Sequence, residues 1–258
     1  MEKKGHFLRK IAGLLAVVML LAMCAGCGQK PVQPEKPVEP DTTDTEQPTD
    51  IVLIQPDDAE VPVDFETAQK AWPDAYAYIK IPGASNMAIR EGNFLVQRPG
   101  DDDYYLYRDL DGKDNKAGTM YTQASFNKPD MSDPVTLIYG HNMRDGSMFA
   151  ALHKFEDEDF FNDHDTVVIY TPTQRLTYTI FAAYPRDDAH LMRKFDYSSA
   201  EGRQAFLDEI ATHTDGHFRD VELTTDSNII TLSTCIGSAD DQRYIVQAVL
   251  TEAAPVQG

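Results

Sequence analysis

Three residue types in the second half of the chain could together carry acyl chemistry: a lone cysteine, an arginine close behind it, and one of several histidines. Cys235 is the only cysteine beyond residue 27, so nothing in the body of the chain can pair with it in a disulfide. It is either a small buried hydrophobe or a reactive nucleophile. A thiol attacks a carbonyl only as thiolate, and a free cysteine has a pKa of about 8.5. Such an enzyme needs a histidine to exchange the proton and a donor for the oxyanion that develops. Arg243 is the candidate donor, because a guanidinium keeps its charge and presents several N–H groups. The chain has 7 histidines. His6 lies in the charged N-terminal segment, His153 in a short amphipathic stretch and His164 in the turn Asn162-Asp163-His164-Asp165. His190 falls in an irregular segment, while His213 and His217 follow a helical stretch, where a cation suits the dipole. His141 stands apart, because it comes just after Gly140 at the end of the apolar run 135–139. Strand ends on a rigid scaffold are where catalytic groups are commonly held.

These side chains need elements to position them. Cys235 closes the β-rich run 228–234, and Arg243 opens a second run, 244–250. If the two are antiparallel neighbours joined by a loop over 236–242, both side chains can face one pocket. Further strand-like runs lie at 76–81, 94–97, 118–122, 135–139, 166–171 and 176–184, separated by turn-rich stretches. Many short strands divided by turns predict a mainly β fold, a closed β-barrel rather than a parallel α/β sheet. Three helices are expected. The first covers 64–71 and breaks at Trp72-Pro73. A second, over 147–154, carries Met148, Phe149 and Leu152 on one face. The third, over 198–212, has Ser198 or Ser199 as N-cap, Glu201 in its first turn, and Phe206, Leu207 and Ile210 at helical spacing. Lying between two strand runs, this long helix must pack outside the barrel or wall a groove.

The N-terminus gives the compartment. Lys3, Lys4, Arg9 and Lys10 precede an apolar run over 11–23, then Ala25, Gly26 and Cys27. A bilayer-spanning helix needs roughly 20 apolar residues, and this run is shorter. Residues 1–27 therefore read as a signal peptide or a lipoprotein-type membrane anchor with Cys27 as the lipidated residue, the alternative being an uncleaved signal anchor. Residues 28–63 are rich in Pro, Glu, Asp and Thr, and bury too little apolar surface to offset their ordering entropy; they read as a disordered stalk. Residues 64–258 are long enough for one domain with a sizeable core. The formal charge is −19, and removal of residues 1–27 leaves it near −22. Such an acidic chain lacks the basic footprint of nucleic-acid binding. The acidic runs 101–103 and 109–114 lack EF-hand spacing and read as solvated turns, so no metal is expected. Tyr104, Tyr105 and Tyr107 are expected to pack on the barrel rather than bind a cofactor.

Thr231-Leu232-Ser233-Thr234-Cys235, with Arg243 downstream and Tyr139-Gly140-His141-Asn142-Met143 upstream, resembles the sortases, class B in particular. Asp103-Tyr104-Tyr105-Leu106, the turn 111–118 and Arg144-Asp145-Gly146-Ser147-Met148-Phe149 are similar to further family segments, and a long helix between the sixth and seventh barrel strands is a class B hallmark. The resemblance covers about residues 72–250. It implies a membrane-tethered cysteine transpeptidase of Gram-positive bacteria, acting at the outer face of the membrane without a cofactor. Its partners would be surface proteins bearing a C-terminal sorting signal, and an amine on a cell-wall precursor or a pilin. Cys235 would attack the signal's carbonyl and form a thioester, His141 would move the protons, and Arg243 would hold the carbonyl oxygen. Ser233 and Thr234 would line the groove floor, and Leu191, in the loop before the long helix, would touch the first residues of the signal. Two other classes remain open: a cysteine protease that ends in hydrolysis, and a non-catalytic surface lipoprotein with an inert Cys235.

Overall fold

The structure, a computed structural model, describes residues 62–81 and 93–256. The signal or anchor segment with Cys27, and all but the last two residues of the expected stalk, lie outside the described residues. In chain order the elements are α1 (Phe65–Ala71), β1 (Ala75–Lys80), β2 (Phe94–Val96), β3 (Met120–Tyr121), β4 (Val135–Tyr139), α2 (Glu158–Asp163), β5 (Thr166–Tyr170), β6 (Gln174–Asp187), α3 (Leu191–Lys194), α4 (Ala200–Ile210), β7 (His217–Phe218), β8 (Ile229–Ile236) and β9 (Ala239–Pro255). Two 3-10 helices, Tyr104–Tyr107 and Phe149–Glu156, lie between them.

The strands pair in the order β5-β1-β2-β3-β4-β8-β9-β6, and β6 also pairs with β5 to close the ring; β7 is a short addition to β6. The fold is thus the mainly β, closed barrel that the turn spacing predicts, and closure leaves the ring strands without bare edges. The long helix α4 lies between β6 and β8 in the chain, as expected.

Alternation along the strands sorts side chains to two faces. Ile138 of β4, Ile230 and Leu232 of β8, and Tyr244, Val246 and Ala248 of β9 belong to the interior cluster, which Phe149, Leu152, Phe155 and Phe161 complete. Their neighbours Val135, Leu137, Ile229, Ile245 and Val249 face the other way, and are covered by Leu191 of α3 and by Phe206 and Ile210 of α4. Both faces are therefore buried along much of β4, β8 and β9, which is why these segments read as continuous apolar runs. A third cluster seats Phe65, Ala68 and Trp72, on and just after α1, against Tyr78, Phe94 and Val96.

Two expectations need correction. The helix expected over 147–154 is a 3-10 helix displaced to Phe149–Glu156. Gly146 and Met148 both have positive φ (83° and 56°), and Ser147 is held by Asp145 Oδ1 through its N–H and its hydroxyl, so no α-helix can begin there. The loop expected over 236–242 is mostly strand: β8 runs to Ile236, β9 starts at Ala239, and only Gly237 and Ser238 separate them.

Candidate active site

β4 and β8 are parallel neighbours with Tyr139 opposite Ser233, and the Gly140 N–H donates to the Ser233 carbonyl at 3.2 Å. Two residues further on, His141 and Cys235 emerge at the same level of the sheet. β9 lies on the other side of β8, and its Arg243 is the register partner of Cys235. All three side chains line one cavity of about 330 Å³ on the outer face of the sheet, along with Leu137, Tyr139, Thr231, Ser233 and Ile245 from the same three strands. Cys235 is exposed, unlike a structural thiol.

His141 is fixed at both ends. Its backbone carbonyl accepts from the Phe149 N–H at 3.0 Å, which ties off the loop between β4 and the 3-10 helix. Its Nε2–H donates to the Leu106 carbonyl at 2.6 Å, and the Tyr107 ring, exposed rather than packed on the barrel as expected, lies 5.3 Å away. A carbonyl can only accept, so Nε2 stays protonated and Nδ1 is the nitrogen whose proton can come and go. Gly140 is needed beside it, because a Cβ there would sit 2.6 Å from the Phe149 ring. Arg243 donates from Nη1 to the Gln242 carbonyl at 2.9 Å, and its Nη2 lies 4.0 Å from Asp188 Oδ2.

The segment after β6 forms the opposite wall. Leu191 is buried in α3 and lines the cavity, so it belongs to the apolar wall rather than to a loop. Ser233 and Thr234 also line the cavity, both buried. Arg186 bonds the Ala189 carbonyl at 3.0 Å and Glu209 of α4 at 3.4 Å, and Glu209 in turn holds Lys194 at 2.6 Å. This cluster ties α3 and α4 to β6.

Sequence reasoning missed a polar corner of the groove. His190 Nε2–H donates to Gln123 Oε1 at 2.8 Å, the Tyr139 hydroxyl reaches the same oxygen at 3.4 Å, and Gln123 Nε2 donates to Asp103 Oδ1 at 3.2 Å. Burial, then the nearby Arg193 charge, lowers the pKa of His190, which keeps the ring neutral. These residues come from four separate segments, and no local pattern joins them. Missed too was the set behind Cys235: Asn142 Nδ2 and His153 Nε2 lie 2.9 and 3.1 Å from its carbonyl oxygen. The i, i+3 spacing of His153 and Glu156 was the one signal available for it. Among the described residues no group of three or more His, Cys, Asp or Glu side chains could hold a metal ion.

Known proteins are similar to this chain in sequence and in fold. The sortase domain family matches residues 99–251. A sortase B of Listeria monocytogenes is 29% identical over 162 residues, which are 62% of this chain; the chain spans 65% of that relative's length. The crystal structure of Clostridium perfringens sortase B superposes with a TM-score of 0.64 at 26% identity, covering 73% of this chain and 100% of that one. A Streptococcus pyogenes class B sortase involved in pilus biogenesis superposes with a TM-score of 0.60 at 25% identity, covering 73% of this chain and 98% of that one. The chain belongs to the sortase family, and the relatives it resembles within that family are class B sortases.

Proposed function

We propose that the protein is a cysteine transpeptidase that cleaves a C-terminal sorting signal on a surface protein and passes the acyl part to an amine. The observation that carries this is the convergence of an exposed Cys235, its strand partner Arg243 and the strand-end His141 on one groove. The Cys235 thiolate attacks the scissile carbonyl carbon, and the oxyanion that forms takes N–H bonds from Arg243. Collapse breaks the C–N bond, and the leaving amine takes its proton from His141 Nδ1. The resulting thioester is attacked by the incoming amine, whose proton passes to the same nitrogen as the thiolate departs. Ser233, Thr234 and Leu191 form the floor and wall against which the signal lies.

The charged and apolar segment before Cys27 supports tethering to the outer face of the membrane, by lipid on Cys27 or by an uncleaved anchor, with residues 28–63 as a spacer. A cell-wall precursor is the amine this reading favours. A pilin amine is the second reading, supported by the pilus-related relative.

The full chain is incubated with a panel of sorting-signal peptides, with and without amine acceptors, and followed by intact mass. The expected result is an acyl-enzyme adduct in the wild type, absent in Cys235→Ala, and resolved faster by amine than by water. No adduct with any peptide would sink the proposal, and release that ignores amine would make the protein a hydrolase.

A further inference from the structure

The carbonyl of Cys235 is held by side chains where the sheet should hold it with backbone. Ser233 offers its carbonyl to the Gly140 N–H, on the β4 side of β8. The carbonyl of Cys235, two residues on, points the same way, but β4 has ended at Tyr139. Asn142 Nδ2 donates to that oxygen at 2.9 Å and His153 Nε2 stands 3.1 Å from it, while the two nitrogens lie 3.0 Å apart. Behind them, His153 Nδ1–H donates to Glu156 Oε1 at 2.6 Å, and the imidazole stacks on the Tyr244 ring at 5.2 Å. With Glu156 accepting at Nδ1, Nε2 either donates to the Cys235 carbonyl or accepts the second N–H of Asn142. Asn142 holds the carbonyl in both arrangements.

We propose that Asn142, oriented by the His153–Glu156 pair, is a positioning residue that sets the Cys235 thiol against the His141 imidazole. Asn142 is the chain neighbour of His141, so its bond to the Cys235 carbonyl is a direct strut between the segments that carry the two groups. The strut substitutes for the next rung of the β4–β8 ladder, at a level where β8 would otherwise be held by β9 alone. A thiol and a base must be held closely for proton exchange, and a displacement of about 1 Å can cost on the order of a hundredfold in rate. This proposal rests on the reading of Cys235 as nucleophile and His141 as its proton partner.

Two readouts on full-chain variants test it. In the first, Asn142→Ala and His153→Ala should each lower kcat for acyl-enzyme formation about tenfold, while KM for the signal peptide moves less than about twofold. His153→Gln, whose amide can still donate to the carbonyl, should restore kcat to within about threefold of wild type. In the double variant the losses should not multiply, because one strut is being cut twice. The second readout needs no substrate: the pH profile of Cys235 alkylation by iodoacetamide in Asn142→Ala should move toward that of His141→Ala. Should Asn142→Ala fail to fold, His153→Ala, at a half-buried surface position, carries both readouts. Wild-type kcat and an unmoved alkylation profile in these variants would overturn the proposal. So would a loss confined to KM, or one that His153→Gln does not repair. A wild type that never acylates refutes the proposed function instead, and the alkylation profiles then still decide on the strut.

Discussion

One contact of Arg243, the one to Asp188, costs little to leave. Its contact with Asp188 is 4.0 Å long between partly exposed groups, and such pairs contribute at most about 1 kcal/mol. Giving up the Asp188 contact therefore costs the guanidinium little, and the function proposed above has it donate to a substrate carbonyl. Removing a donor that stabilises a developing oxyanion slows acyl transfer by about a hundred- to a thousandfold. We expect Arg243→Ala to lose that much in single-turnover acylation followed by mass, and Arg243→Lys to regain no more than about tenfold of it, since lysine restores charge but not the planar fork. At this scale much was legible in the sequence. A cysteine without a partner, an arginine at the head of the next strand and a histidine at a strand end each stand out locally. Asn142, His153, Gln123 and His190 did not, because their meaning lies in partners far along the chain: 93 residues separate Asn142 from Cys235, and 67 separate Gln123 from His190.

The strand cores were legible as well, being apolar on both faces, and β4 has the bounds expected of it. Strand ends were not. β6 continues through Arg186 and Asp187 because β9 pairs with them at Arg243 and Gln242, and a polar sequence gives no hint of that support. The expected second helix failed at Met148, whose positive φ is unusual for a residue with a side chain. α4 was visible from its periodicity and its cap: the Ser199 hydroxyl accepts from the Gly202 N–H at 3.1 Å. Its first turn is packed so tightly on Asp196 that a Cβ at Gly202 would run into that residue's carbonyl. Ser199→Ala should cost about 1 kcal/mol, a fall of roughly 2–4 °C in Tm for a domain of this size. Gly202→Ala should cost more and should also raise KM for the signal peptide, because the wall that α4 supports must shift. An unchanged KM in Gly202→Ala would show that α4 does not set the groove's shape.

Over the whole molecule, two histidines in the packing between barrel and helices make stability depend on pH. Burial lowers the pKa of both His190 and His213. The unfolded chain, with histidine pKa values near 6.5, takes up protons before the folded one does. Their contribution is complete above about pH 6.5 and is lost as the pH falls toward and through the lowered folded values. Asp130 and Asp196, held below the usual carboxylate range by Ser132 and Ser198, stay ionised across this window and do not contribute. Tm should therefore fall between pH 7.5 and 5.5, and the fall should be shallower in a His190→Asn, His213→Asn double variant; equal slopes would exclude these rings as the cause. The closed ring of strands has one more consequence, in time rather than in space. β4 carries the chain to His141, and β8, which brings Cys235, follows only after β5, β6, β7 and four helical segments. Pairings across such spans form late in folding. A chain whose barrel has not yet closed thus carries a thiol with no base beside it. On the function proposed above, chemistry at Cys235 waits until the barrel shuts.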